Sequence, residues 1–381
     1  MNKTTTFAVV LFIFCLCRSP DAPAPATPAR IDPYWDDLAC LLAGLPLRAA
    51  SPLAPVTRDP AYGVHLEGMR SFWEAVEKRN QEQIVPWRVE HFARGAERGT
   101  TLYPLSGADF LNAYNFFPGS DRYILVALEK PGRLSNPIEI ETSARNNGLA
   151  AVRSVIENVA ERNYFMSATM SRYMNGEFAY SGTAPVILIF ARRLGFQILD
   201  VAPIEIDNAG RIQPREHSAD LGNTGIRFLI QRSEDPSPRE IVYLNLRLSN
   251  ESVSPTTASG RFLRSLKHAR VLMKSAVYLL HMPSFDGVRD YVLDTADIIV
   301  QDDSGVPYRF FDPSEWDVRL FGSFSAPVRL QGTGYYPQPE LARAFASEAR
   351  PLNFQYGYGI LRPGGQSNLL IAIRRSPHEN E

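Results

Sequence analysis

The chain has 381 residues, 45% of them hydrophobic, and 40 basic residues stand against 41 acidic ones for a net charge of −1. That hydrophobic share excludes a disordered chain and suffices for one large α/β domain or two. The balanced charge excludes a global field drawing the protein to nucleic acid or to an anionic membrane surface, and the basic pairs Arg192-Arg193 and Arg374-Arg375 are too short for a nucleic-acid arm.

Residues 7–17 (FAVVLFIFCLC), preceded by Lys3, form an apolar run of signal-peptide length that is too short to span a bilayer as a helix. The pattern assigns residues 1–18 to an export signal and residues 19–30, rich in Pro and Ala, to an extended linker. Cys17 offers a lipidation site that would turn the linker into a membrane tether; Leu16, larger than the residue that normally precedes such a cysteine, favours the plainer reading that Cys15 and Cys17 fill the signal core. Once the signal is removed Cys40 stands alone, no internal disulfide can form, and its neighbours Leu38, Leu41 and Leu42 mark it as a buried, inert thiol.

Along the chain, Tyr34, Trp35, Leu38, Leu41 and Leu42 predict a short amphipathic helix, and Leu66, Met69, Trp73 and Val76 a second. Residues 101–129 predict a strand, the Ser-x-x-Asp capping pattern Ser106-Gly107-Ala108-Asp109, a helix with Phe110, Ala113, Tyr114 and Phe117 on one face, and a strand over 123–128. A clean amphipathic helix covers 149–159, with 164–174 as its continuation. The run at 182–193 predicts a buried helix closed by Gly195. Strands at 196–206, 210–212, 226–231 and 241–248 alternate around a turn at 207–210 and predict an antiparallel sheet. The polar loop 249–259 separates an N-terminal α/β region, 31–250, from a C-terminal one, 260–376, unless the two are continuous.

The best-specified stretch is 274–311. It predicts a buried strand over 276–282 (AVYLLHM), Ser284 as N-cap of a helix bearing Phe285, Val288 and Val292, a strand at 298–300, a turn at 301–305 and a strand at 306–311. That is β-α-β followed by a hairpin. A strand at 318–324, a helix around Leu341, Ala344 and Phe345, and a closing strand at 368–373 complete the reading. The fold class is therefore mixed α/β (α+β), with β-α-β units, antiparallel hairpins and flanking helices. The strand, Pro, Ser, helix, strand order of 101–128 repeats at 276–300; chance likeness explains it better than duplication.

No G-x-S-x-G, H-E-x-x-H, C-x-x-C or phosphate-loop pattern occurs, so no metal or cofactor is expected. Ligands of open α/β sheets bind beyond the carboxyl ends of strands, which singles out His281, Asp302 and Asp303 as catalytic candidates; turn chemistry explains Asp-Asp-Ser-Gly equally simply. Ser106 and Asp109, with Tyr335 and Tyr356 in the Gly/Tyr loops 332–336 and 355–359, are the binding candidates, the rings suiting a sugar or peptide rim. Weaker pairs are His217 with Asp220, Glu139 with Glu141, and Glu205 with Asp207, while Lys274 and Ser275 cannot form a dyad because neighbours in a strand diverge. These features describe an exported cell-envelope protein of binding or structural type, with a small molecule, glycan or envelope component as partner. The alternative is an envelope hydrolase of glycans or esters using Asp302, Asp303 and His281.

Overall fold

Five parallel strands run through the middle of the protein, and their carboxyl-terminal halves are largely buried because helices cover both faces. The structure is a computed structural model that describes residues 32–162, 173, 178–215, 224–330 and 334–375. The export signal, the linker, the 164–174 helix continuation apart from Tyr173, and the His217/Asp220 pair lie outside the described residues. The helices in chain order are Pro33–Leu42 (α1), Pro60–Val76 (α2), Glu82–His91 (α3), Phe110–Phe116 (α4), Thr142–Arg162 (α5), Thr183–Arg193 (α6), Ala258–Ser265 (α7), Asp286–Thr295 (α8) and Pro339–Glu348 (α9). The strands are Gly99–Pro104 (β1), Ser120–Ala127 (β2), Arg133–Leu134 (β3), Tyr180–Ser181 (β4), Phe196–Ile206 (β5), Ile212–Pro214 (β6), Gly225–Arg232 (β7), Asp235–Asn245 (β8), Ala269–Met273 (β9), Ala296–Gln301 (β10), Trp316–Gly322 (β11) and Asn368–Arg374 (β12).

Ten strands form one sheet in the order β11-β12-β10-β9-β1-β2-β8-β7-β5-β6, and β3 pairs with β4 in a small separate ribbon. Strands β10, β9, β1, β2 and β8 are mutually parallel, and antiparallel strands extend the sheet at both ends. Alternate residues of β2 divide between the two cores: Tyr123 and Leu125 pack with α1, α2, α4, α5 and α6, whereas Ile124 and Val126 pack with α7, α8 and α9. The fold is thus mixed α and β, with strands from both sides of 249–259 hydrogen-bonded into the same sheet.

Local chemistry sets the helix ends. Asp32 and Asp59 accept from the first-turn N–H groups of Tyr34 and Ala61, with a proline following each cap. Helix α6 is buried from Thr183 to Ala191 and ends at Gly195, whose φ of +86° suits only glycine without strain.

Five expectations are corrected. The strand expected at 276–282 lies instead at β9, because Ser275, Val277 and Tyr278 adopt positive φ and only a short 3-10 turn, Leu279–His281, follows. Ser284 does not cap α8; Asn250 does so from a distant loop, accepting from Gly287 N at 3.0 Å. The strand and hairpin expected over 306–311 are replaced by a 3-10 turn at Tyr308–Phe310, since the Gln301 side chain folds onto Val306 through both its donor and its acceptor and β10 pairs with β12. Ser106 is not the cap of α4: Asp109 is, accepting from Asn112 N at 3.1 Å. Glu139 and Glu141 sit in a turn region rather than on a strand, and Asp207 closes its turn by accepting from Ala209 N and Arg211 N.

Phe110 joins the first β-α-β unit to the antiparallel wing, meeting Tyr123 edge-on at 5.1 Å and Phe196 at 5.9 Å between ring centroids. Phe110→Ala should lower the unfolding free energy in urea by about 3–5 kcal/mol; a loss under about 1 kcal/mol would show that this core collapses around the gap.

Candidate functional site

From β1 the chain crosses through α4 to β2 on one side, and from β9 it crosses through α8 to β10 on the other. Strands β1 and β9 are adjacent, so the sheet has a topological switch point between them, where open α/β sheets carry a crevice at the carboxyl ends. Both loops leaving this point turn sharply. Leu105 follows β1 with φ +61°, and Ser275, Val277 and Tyr278 follow β9 with φ between +54° and +59°. Such values are uncommon outside glycine and strained for a β-branched valine, so tertiary contacts must hold them.

Those contacts are polar and buried. Asp109, which caps α4, forms an ion pair with Lys274 at 2.8 Å, and both side chains are 3% exposed. Tyr103 OH donates to the same carboxylate at 3.0 Å and Asn112 Nδ2 at 2.9 Å. At the end of β10, fully buried Asp302 accepts from Ser304 N at 3.0 Å, from Ser304 Oγ, and from Ser275 N at 3.3 Å. Asp303 accepts from Tyr278 OH at 2.7 Å, from Asn368 Nδ2 at 2.9 Å and from the Arg362 guanidinium. Its backbone carbonyl takes Gln338 Nε2 at 2.9 Å. The loop bearing Arg362 also places Gly357, at φ +55°, against Asp302, where any Cβ would overlap the carboxylate.

Burial, and then the neighbouring Asp303 charge, push the Asp302 carboxyl up to about 6, against the opposing pull of the Ser304 hydrogen bonds and Arg362. Burial drives the His281 imidazole down to about 4 despite the attraction of Asp303, so it is neutral near pH 7. Tyr103, Tyr278 and Tyr356 are all raised, first by burial and then by the adjacent carboxylates, and remain phenols. His281 packs edge-on to Tyr278 at 5.4 Å and against Tyr336 at 5.3 Å. Its Nε2, Ser275 Oγ and Tyr356 OH are buried without a hydrogen-bond partner among the described residues.

Asp109, Asp302, Asp303 and Tyr356 therefore converge on the switch point, with His281 at its edge. Ser106 is buried in the loop after β1, its Oγ donating to Gly107 O at 2.9 Å, and serves that turn. Tyr335 is 42% exposed beneath Arg329 and lies apart from the cluster. Sequence reasoning missed Tyr278, Gln338, Arg362 and Asn368, and weighed Lys274 only as a partner for Ser275. Cys40 is buried as expected, and although Arg192 Nε approaches its sulfur at 3.1 Å, burial dominates and raises the thiol.

The loop that seats on Asp302 and Asp303 also walls a cavity of about 900 Å³. Asn353, Gln355 and Gln366, the hydroxyls of Ser323 and Ser367, and glycine backbone at 364 and 365 line it, and none of its lining residues is charged. Ser367 joins the two regions, since its Oγ accepts from Tyr356 N at 2.9 Å. Among the described residues no group of three His, Cys, Asp or Glu side chains is placed to hold a metal, and no helix is long and apolar enough to cross a membrane. Comparison of the chain with family models, curated proteins and solved structures gave no match.

Lys274→Met would leave Asp109 charged, buried and without its cation, so it should cost about 3–5 kcal/mol of stability in chemical denaturation; a change below about 1 kcal/mol would contradict the pairing.

Asp302 has a folded-state value above its ordinary 3.8, so its contribution to stability is complete below that pH and is lost as pH rises through about 6. His281 runs the other way, its contribution being present above 6.5 and lost as pH falls through about 4. Between pH 4 and 7 the wild type should therefore lose about 2 kcal/mol relative to Asp302→Asn; stability curves that stay parallel for the two proteins would refute the buried, protonatable carboxyl.

Proposed function

We propose that the protein is an exported cell-envelope protein of the binding type, and that its ligand is a neutral polar molecule, a glycan segment fitting best. The carrying observation is the uncharged cavity of about 900 Å³ walled by amides, hydroxyls and open glycine backbone. Amides donate and accept at once, as a sugar's hydroxyls do, and the absence of a charged lining residue disfavours an ionic ligand. The size lies within the range of small-molecule sites. Export rests on the signal-like run at 7–17.

The polar cluster at the switch point fits this reading as the foundation of the site. Its carboxylates are occupied by the protein's own donors, and its hydrogen bonds pin the loop whose far side faces the cavity. A second reading, an envelope hydrolase, is favoured by one observation: two adjacent carboxyls differ in environment, Asp303 ion-paired and Asp302 pushed towards neutrality, as an acid and its partner would be. It requires a path to Asp302, which is 0% exposed beneath Gly357.

Neutral glycan fragments, such as oligosaccharides of N-acetylglucosamine, titrated calorimetrically into the mature protein should bind. Asn353→Ala combined with Gln366→Ala, both exposed and outside the core, should weaken that binding about tenfold or more, the equivalent of about 1.4 kcal/mol. Undiminished binding by the double variant would remove the cavity from the reading, and turnover of a glycan or ester that disappears in folded Asp302→Asn would favour the hydrolase. Mass spectrometry of the native protein should find the first residues removed; an intact Met1 would overturn export.

A further inference from the structure

A second cavity, of about 360 Å³, lies where α2, α3, α4, α6 and β7 meet, and shares no lining residue with the first. Arg88, Arg193 and Arg232 line it against one carboxylate, Glu77, which already accepts from Trp73 Nε1 at 2.8 Å. Asn115 also lines it and is 2% exposed. The Asn115 carbonyl accepts from Gln81 Nε2 at 2.9 Å, which leaves Nδ2 a buried donor with no hydrogen-bond partner among the described residues. Arg88 Nε is likewise buried and unpartnered, and burial lowers the Arg88 guanidinium from its ordinary value. Arg193 donates to Ala43 O at 2.8 Å and lies over Trp73, whereas Arg232 donates to Tyr114 OH, lies over the Tyr114 ring and is ion-paired with Glu234 at 2.5 Å.

Buried donors without acceptors, beside three arginines of which, among the described residues, only Arg232 has an ion-pair partner, share one chemical complement: a group that is negatively charged and accepts hydrogen bonds from several directions. We propose that this cavity binds a small ligand carrying an oxyanion, a phosphate or a carboxylate, with Arg88 and Asn115 as its direct donors and Arg193 as a fixed flanking charge. The volume leaves room for a small organic body beside the anion, and the rings of Trp73 and Tyr114 supply its apolar wall.

The test titrates the full chain with inorganic phosphate, and separately with succinate, at constant ionic strength made up with chloride, following calorimetric heat and Trp fluorescence. Saturable binding of phosphate identifies a phosphate site and saturable binding of succinate alone a carboxylate site; either supports the proposal. Arg88→Gln, which keeps the apolar stem, should weaken binding at least tenfold, and Asn115→Leu should do the same if the protein remains folded by circular dichroism. Saturable binding of neither anion, or binding that Arg88→Gln leaves unchanged, overturns the proposal and leaves Arg193 as a complement to the carbonyls at the C-terminal end of α1 and Arg232 as the partner of Glu234.

Discussion

The Lys274–Asp109 ion pair ties together two β-α-β units that leave the centre of the sheet in opposite directions. Asp109 belongs to the loop after β1 and Lys274 to the loop after β9, so the pair fixes one unit against the other at the point where the topology reverses. Two charges taken this far from water gain little net stability, because desolvation offsets their attraction. What the pair supplies is discrimination: any arrangement that separates the loops leaves two uncompensated buried charges. Tyr103, Asn112 and the α4 N-terminus fill the remaining lone pairs of the carboxylate, which is the condition under which such a pair is tolerated.

From that pair the organisation spreads outward. Asp302 and Asp303 end β10, and their donors come from four separate segments: the loop after β9, the turn itself, the 355–362 loop and the start of β12. Each carboxylate thus gathers backbone that sequence separates by dozens of residues. Gly357 is required because the loop backbone lies directly on Asp302 at a left-handed φ. A loop fixed on one side by charged hydrogen bonds can present its other side as a rigid wall, and amides and glycines on that side face the larger cavity. Strain at Ser275, Val277 and Tyr278 is held by the same network, through Tyr278 OH, which donates to Asp303 and accepts from Val328 N at 2.8 Å.

Much of the fold was legible in the sequence, because long periodic stretches report burial directly: α1, α2, α5 and α6 follow from their apolar stripes, β5 from alternation and β12 from a continuous apolar run. The errors have physical causes. The AVYLLHM run at 276–282 is apolar because Ala276, Tyr278 and Leu280 are buried within the switch-point loop, and no local rule places valine or tyrosine at positive φ. The hairpin at 301–311 failed because the true antiparallel partner of β10 comes near the end of the chain, and a Gln301 side chain imitates the ladder bonds of a tight turn. For the site, the rule that ligands gather at strand ends pointed to His281, Asp302 and Asp303 and a Ser-x-x-Asp capping pattern to Asp109, since turn-forming acids after apolar strands are visible in one dimension. Arg362, Asn368 and Gln338 were not visible, as single polar residues in loops carry no local sign of a partner far along the chain.

The central claim is that the buried carboxylates at the switch point hold the loop that walls the cavity. Amide hydrogen exchange of Asp303→Asn against the wild type tests it most directly, because the substitution removes the charge that Arg362 pairs with while keeping the shape of the side chain. Exchange should accelerate in residues 275–281 and 355–367 and stay unchanged in the central strands β1, β2 and β8. Equal exchange of the 355–367 loop in the two proteins, or acceleration spread evenly over the whole sheet, would contradict it.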